Sequence, residues 1–193
     1  MKKLALSAGL TLLAAPALAH TGHGETSGLI AGLSHPVFGP DHLLAMLAVG
    51  LWSGFALPNR FWLGAATFMG AMAAGAGLSW SGIGIPMVEM WITASVAVFG
   101  LLTLLARRNQ SHEMTGASLA TIALFAMCHG HAHATEASGN AAAYLAGFLT
   151  ATGALHLAGI GLARAIAGGR AARLLQTGLG AGITGAGLWM MAG

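Results

Sequence analysis

Seven side chains with metal-ligand chemistry stand in two short stretches of an otherwise apolar chain. "HPVFGPDHLLAMLAVGLW", residues 35–52, supplies His35, Asp41 and His42; "CHGHAHATE", residues 128–136, supplies His129, His131, His133 and Glu136. Imidazoles mixed with carboxylates suit a borderline divalent cation such as nickel, cobalt or zinc better than magnesium or calcium. On a helix, His129, His133 and Glu136 fall at i, i+4 and i+7 and share one face. His131 points elsewhere unless the chain unwinds near it. Glu89 and His156 add a carboxylate and an imidazole in other apolar segments, and Met46, one turn after His42, offers a thioether or simply packs.

The elements that must position these groups follow from composition and local signals. The chain is 56% hydrophobic and 7% charged, with 30 glycines, against about 25% charged residues in a soluble domain. Scarce charge and long apolar runs imply an integral membrane protein, and the glycines fit close helix packing in a bilayer. One cysteine, Cys128, excludes an internal disulfide. The sequence pI of about 9.8 does not imply nucleic-acid binding, because the basic residues are scattered and form no stripe.

Residues 1–19 have the pattern of a cleaved signal peptide: a basic start, an apolar core over Leu4–Ala15, and small residues before His20. Residues 20–193 then form one domain. Apolar segments at 28–56, 61–78, 86–106, 116–134, 140–163 and 173–191 make six spans. Without sustained strand alternation the fold class is all-α, a polytopic six-transmembrane-helix bundle. With the mature N-terminus outside, the loops carrying Arg60, Arg107, Arg108, Arg164, Arg170 and Arg173 all fall inside, as the positive-inside rule asks. Both mature termini are then periplasmic, in the bacterial inner membrane. The first span is broken. His35 before Pro36 favours an extended conformation, and Gly39-Pro40 reads as the start of a helix over Pro40–Ala56 about 25 Å long. Residues 28–38 become a short interfacial or re-entrant piece that folds His35 back towards Asp41 and His42. Small residues Gly178, Gly182 and Ala186 form a row on the last span and Gly147 with Ala151 a weaker one. Either intramolecular packing or a homo-oligomer seam accounts for them.

Topology brings the polar groups together. The ligand-like residues come early in the first span, Glu89 early in the third, and the histidines late in the fourth. All converge on the outer half, where ionisable residues line an interior or a water-filled path. His156 lies deeper, as an inner station or as a packed histidine bonded to a backbone carbonyl. His20 and His23 gather ions at the surface or belong to an exposed polar tail. A proton relay, a structural metal and haem ligated by two histidines are weaker readings. Enzyme chemistry finds no support, since H-E-x-x-H, G-x-S-x-G and Walker A patterns are all missing.

These residues resemble the HupE/UreJ family of small membrane proteins associated with hydrogenase and urease gene clusters. The first stretch resembles its HP-x-x-G-x-DHxxxMxxVG signature, and the second its HGxAHGxE motif, with Ala134 for the usual second Gly and His131 in the variable position. "VEMWITASV" around Glu89 and "TGALH" ending at His156 also look familial. The resemblance spans the whole mature chain. It implies uptake of Ni²⁺ or Co²⁺ as cargo, with no permanent cofactor, to supply metalloenzyme assembly. His35, Asp41 and His42 are its important positions, with His129, His133 and Glu136 as companions. The His-x4-Asp-His signature of the nickel/cobalt permeases is one residue shorter and serves as analogy only. The expectation is an inner-membrane permease whose partners are a divalent ion, the bilayer and hydrogenase or urease maturation proteins. A non-transporting accessory protein that hands metal to such partners is the alternative. Imidazoles bind metal only when neutral, so uptake should fall as pH drops through about 6.5.

Overall fold

The structure is a computed structural model and describes residues 28–137 and 140–193. The expected signal peptide, His20 and His23 lie outside the described residues. Seven helices account for most of the rest: α1 Gly28–Phe38, α2 Pro40–Ala56, α3 Leu63–Trp80, α4 Val88–Leu105, α5 His112–Glu136, α6 Ala141–Ala167 and α7 Ala172–Ala192. No strand occurs among the described residues. Helices α4 and α6 are long and apolar enough to cross a bilayer.

Local chemistry explains the boundaries. Gly39 is extended and Pro40 opens α2, where its missing N–H costs no helical bond. Ser111 caps α5 by accepting from the amide of Met114 (3.2 Å), and Asn140 caps α6 by accepting from Ala143 (3.1 Å). Residues 28–38 form a short helix, and His35 lies within it and is not extended as the following Pro36 favours. The amide of Gly39 donates to the carbonyl of His35 (3.0 Å), closing the last turn of α1 around the proline. The restriction that Pro36 places on His35 is a preference, and packing of α1 on α6 outweighs it.

Helix α3 packs on α5, α4 on α7, and α6 on both α1 and α2. Each of these crossings is a backbone-to-backbone approach through glycine. A methyl at Gly130 would fall on the carbonyl of Met72, and one at Gly75 on that of Met127. Gly32 and Gly147 seat α1 on α6, Gly50 and Gly159 seat α2 on α6, and Gly180 and Gly187 seat α7 on α4. The row expected on the last helix is therefore displaced: Gly178 and Gly182 face open space, and Gly180 and Gly187 make the contact. Two residues along a helix is a rotation of about 200°, so a row misread by two lies on the opposite face. Gly147 and the buried Ala151 do face a neighbour.

The bundle has two chemically different ends. At one, Arg164 donates to the carbonyl of Pro58 (3.2 Å) and Arg173 to that of Ala106 (3.1 Å), joining three loops that all carry arginine. At the other lie His35, His42 and His133, together with the starts of α2 and α6 and the close of α5. The outward surface is apolar, with Phe38, Leu174, Leu188, Leu162 and Leu124 exposed. Exposed Trp62 marks the arginine end, and Trp80, Trp91 and Trp189 mark the other, the placement of an interfacial aromatic belt.

Gly130→Ala should lower stability by about 1–3 kcal/mol or more through overpacking. Gly182→Ala should be neutral or gain up to about 1 kcal/mol from helix propensity. Thermal unfolding of the two purified variants in the same detergent measures the contrast.

Candidate metal centre

The centre begins with Gly39. A side chain there would press on Asp41 Oδ1 and His42 Nδ1, both 3.2 Å from the position of a Cβ, and on the carbonyl of His35 at 3.3 Å. Glycine leaves room there for the end of α1 to sit close against the first turn of α2. Asp41 Oδ1 then accepts from the backbone N–H of His42 (2.8 Å) and from its Nδ1 (2.6 Å). A carboxylate only accepts, so the imidazole proton sits on Nδ1 and Nε2 presents its lone pair.

That Nε2 meets Nε2 of His133, which arrives from α5. The half-buried ring of His35 stands edge-on to both, with centroids 5.1 Å from His42 and 4.6 Å from His133. One nitrogen from each of the three lies within 4.8 Å of the others. Two imidazole nitrogens on one ion, each at about 2.0–2.1 Å, are at most about 4.2 Å apart. Small rotations of these side chains would thus complete a three-nitrogen site. Phe148 walls it, its ring 4.3 Å from that of His133. A narrow cleft between α3, α5 and α6, lined by Met72, Trp80 and Tyr144 among others, reaches His133.

His129 lies one turn deeper on α5, fully buried, its ring 4.9 Å from that of His42. Its Nε2 is 3.0 Å from Ser95 Oγ, whose hydroxyl donates to the carbonyl of Ile92 (2.6 Å). Nε2 of His129 therefore donates and Nδ1 is bare; that Nδ1 is buried without a partner. His156 is also fully buried, and its Nδ1 donates to the carbonyl of Thr152 (2.7 Å). The carbonyl-bonded arrangement considered for it is present, and it leaves Nε2 without a partner.

Other expected members stand apart. Asp41 serves His42 and is absent from the converged nitrogens. Glu89 is exposed in the first turn of α4, outside the group. His131 points to the loop after α3, where Nε2 donates to the carbonyl of Ile83 (2.7 Å). Helix α5 does not unwind there, so the third imidazole comes from His35 on another helix and not from His131. Glu136 is the last residue of α5. Met46 is buried in the core. The sequence reading did not single out Ser95, Tyr144, Phe148 or the carbonyl of Ile83; the hydroxyls of Ser95 and Tyr144 inside apolar runs were the polarity that could have marked them.

A helical bundle with an apolar exterior and a converged set of buried imidazoles is the class of protein that this fold and site define. The chain belongs to the HupE / UreJ protein family, which matches residues 8–190. It is 40% identical over 166 residues to Protein HupE of Rhizobium leguminosarum bv. viciae, across 84% of this chain and 85% of that one. No solved structure matches it.

Ser95→Ala should strand the buried N–H of His129 and cost about 1–3 kcal/mol. Ser95→Thr, which keeps the hydroxyl, should cost less. Unfolding midpoints in detergent compare the two.

Proposed function

We propose that this protein is an inner-membrane permease that takes up Ni²⁺ or Co²⁺ through the imidazole centre. The observation that carries the reading is the convergence of His35, His42 and His133, from three helices, on one buried point. Asp41 acts behind His42, fixing its tautomer and aiming Nε2, as carboxylates do behind metal-bound imidazoles. His129 and His156 continue inward; His20 and His23 collect ions outside, with Glu89, Glu136 and His131 near the entrance.

Orientation follows from charge. The arginine end faces the cytoplasm under the positive-inside rule, which sets the imidazole end and both mature termini on the periplasmic side of a six-span bundle whose first span is the pair α1 and α2. Residues 1–19 direct export and are removed. The membrane potential favours inward movement by roughly 2.3 kcal/mol per charge per 100 mV. Three neutral nitrogens in a pliable setting hold an ion without caging it, as transport requires. The metal would serve hydrogenase or urease assembly, as the resemblance to the family implies.

Uptake of radioactive nickel into metal-limited cells is the test. His42→Ala and His133→Ala should reduce it to background at wild-type protein levels. Asp41→Asn should weaken apparent nickel affinity by about 10–100-fold, since it removes the orienting carboxylate and not a ligand. If these variants keep wild-type uptake, the permease reading is wrong. Nickel binding that they abolish, in a protein that moves none, would point to the accessory role.

A further inference from the structure

At the arginine end, separate stretches of the chain border one open cavity of ≈ 370 Å³. The α2–α3 loop brings Pro58 and Asn59 to it, the α4–α5 loop brings Arg108, and the last turn of α6 brings Arg164. Phe55, buried at the close of α2, adds apolar surface to the wall. The volume falls within the roughly 300–1,000 Å³ of small-ligand sites. No carboxylate lines the cavity; Glu113, in the first turn of the neighbouring α5, is not part of its wall.

The arginines of this end differ in what holds them. Arg173 donates to the carbonyl of Ala106 and so helps to close α4. Arg164 donates from Nη2 to the carbonyl of Pro58 and lies 4.1 Å over the ring of Phe61. These contacts fix its guanidinium beside the Pro58 wall of the cavity, and a cation in the last turn of α6 also suits the helix dipole. Folding therefore accounts for Arg164. It does not account for Arg108, which has no hydrogen-bond or ion-pair partner among the described residues and yet shares the cavity with Arg164. Orientation in a membrane asks for arginines in the inner loops, but not for two of them on one cavity wall. Two cations held there repel each other, and an anion between them reverses the sign.

We propose that this cavity binds a phosphate group, carried by an anionic phospholipid headgroup or by free phosphate. Guanidinium forks match the spread oxygens of a phosphate. Arg108, Arg164 and the side-chain amide of Asn59 offer such donors from three different elements. Phe55 and Pro58 supply apolar surface beside them, which suits the glycerol and upper acyl chain of a lipid. Exposed Trp62, on the same loop as Pro58, sets this level at the bilayer interface, and basic pockets between membrane helices on the cytoplasmic side take phospholipid headgroups. A bound phosphate ties the α2–α3 and α4–α5 loops to α6 and so stabilises the folded bundle. The site shares no residue with the imidazole centre, so it stands or falls apart from the permease reading.

Unfolding midpoints of the full-length protein in dodecyl maltoside, at constant ionic strength, test the site. Phosphatidylglycerol, phosphatidylcholine and inorganic phosphate are titrated separately. Wild type should show a saturable rise with phosphatidylglycerol, with inorganic phosphate, or with both. A rise with the anionic lipid alone identifies a headgroup site, and a rise with inorganic phosphate alone a soluble-anion site. Arg108→Gln should weaken the apparent affinity about ten-fold or more, the loss of one charge-assisted contact. It should leave the midpoint without probe unchanged, because Arg108 has no partner to lose. Arg164→Lys, which keeps the charge and loses the fork, should also weaken binding. Arg60→Gln and Arg170→Gln remove the same charge from positions outside the cavity wall and should keep wild-type affinity. The proposal is overturned if neither phosphatidylglycerol nor phosphate gives a saturable rise, or if phosphatidylcholine matches phosphatidylglycerol while phosphate does nothing. It is equally overturned if Arg108→Gln has no effect, or if Arg60→Gln weakens the response as much.

Discussion

Helices in this bundle touch backbone to backbone, and the imidazole centre depends on that closeness. At Gly32, Gly50, Gly130 and Gly147 no side chain separates one helix from the next. In a bilayer there is no hydrophobic gain from pressing apolar helices together, so association relies on dispersion and on the approach that small residues permit. The crossings of α1 and α2 with α6 bring His35 and His42 beside Phe148, and the crossing of α3 with α5 holds the carrier of His129 and His133. Gly39 has a different task, since its lack of a side chain lets Asp41, His42 and the carbonyl of His35 share a small volume.

Within that frame, single hydrogen bonds position several polar groups: His42 by Asp41, His129 by Ser95, His131 by the carbonyl of Ile83, and Gln176 by the carbonyls of Thr103 and Ala106. In a low-dielectric interior each such bond fixes a tautomer or a rotamer at a cost to any alternative. Second atoms on His129, His131 and His156, and the hydroxyl oxygens of Ser53 and Thr152, are buried without a partner.

Much of this was legible from residue types alone. Charge scarcity, the spacing of apolar runs and the arginine positions anticipate helices whose bounds agree within a few residues with α3 to α7. The break at Gly39-Pro40 was visible too, because glycine and proline punctuate a helix through backbone sterics that need no neighbour. The conformation of His35 was not. A proline restricts its predecessor by only a modest preference, and the contact with α6 that overrides it is distant in sequence. The glycine row on α7 failed for a related reason: Gly178, Gly180, Gly182, Gly185 and Gly187 offer several rows, and only the partner helix selects one.

The sequence by itself determined that imidazoles and carboxylates would gather at one end of an apolar bundle and arginines at the other, because both follow from chain order and from the cost of charge in hydrocarbon. Tertiary structure alone decided which of them meet. It took His35 and not His131 as the third nitrogen, set Asp41 behind His42, and left Glu89 outside the group. Spacing along one helix gives a direction but not a distance to another helix. That distance comes from how closely the backbones cross, which only the packed glycines define.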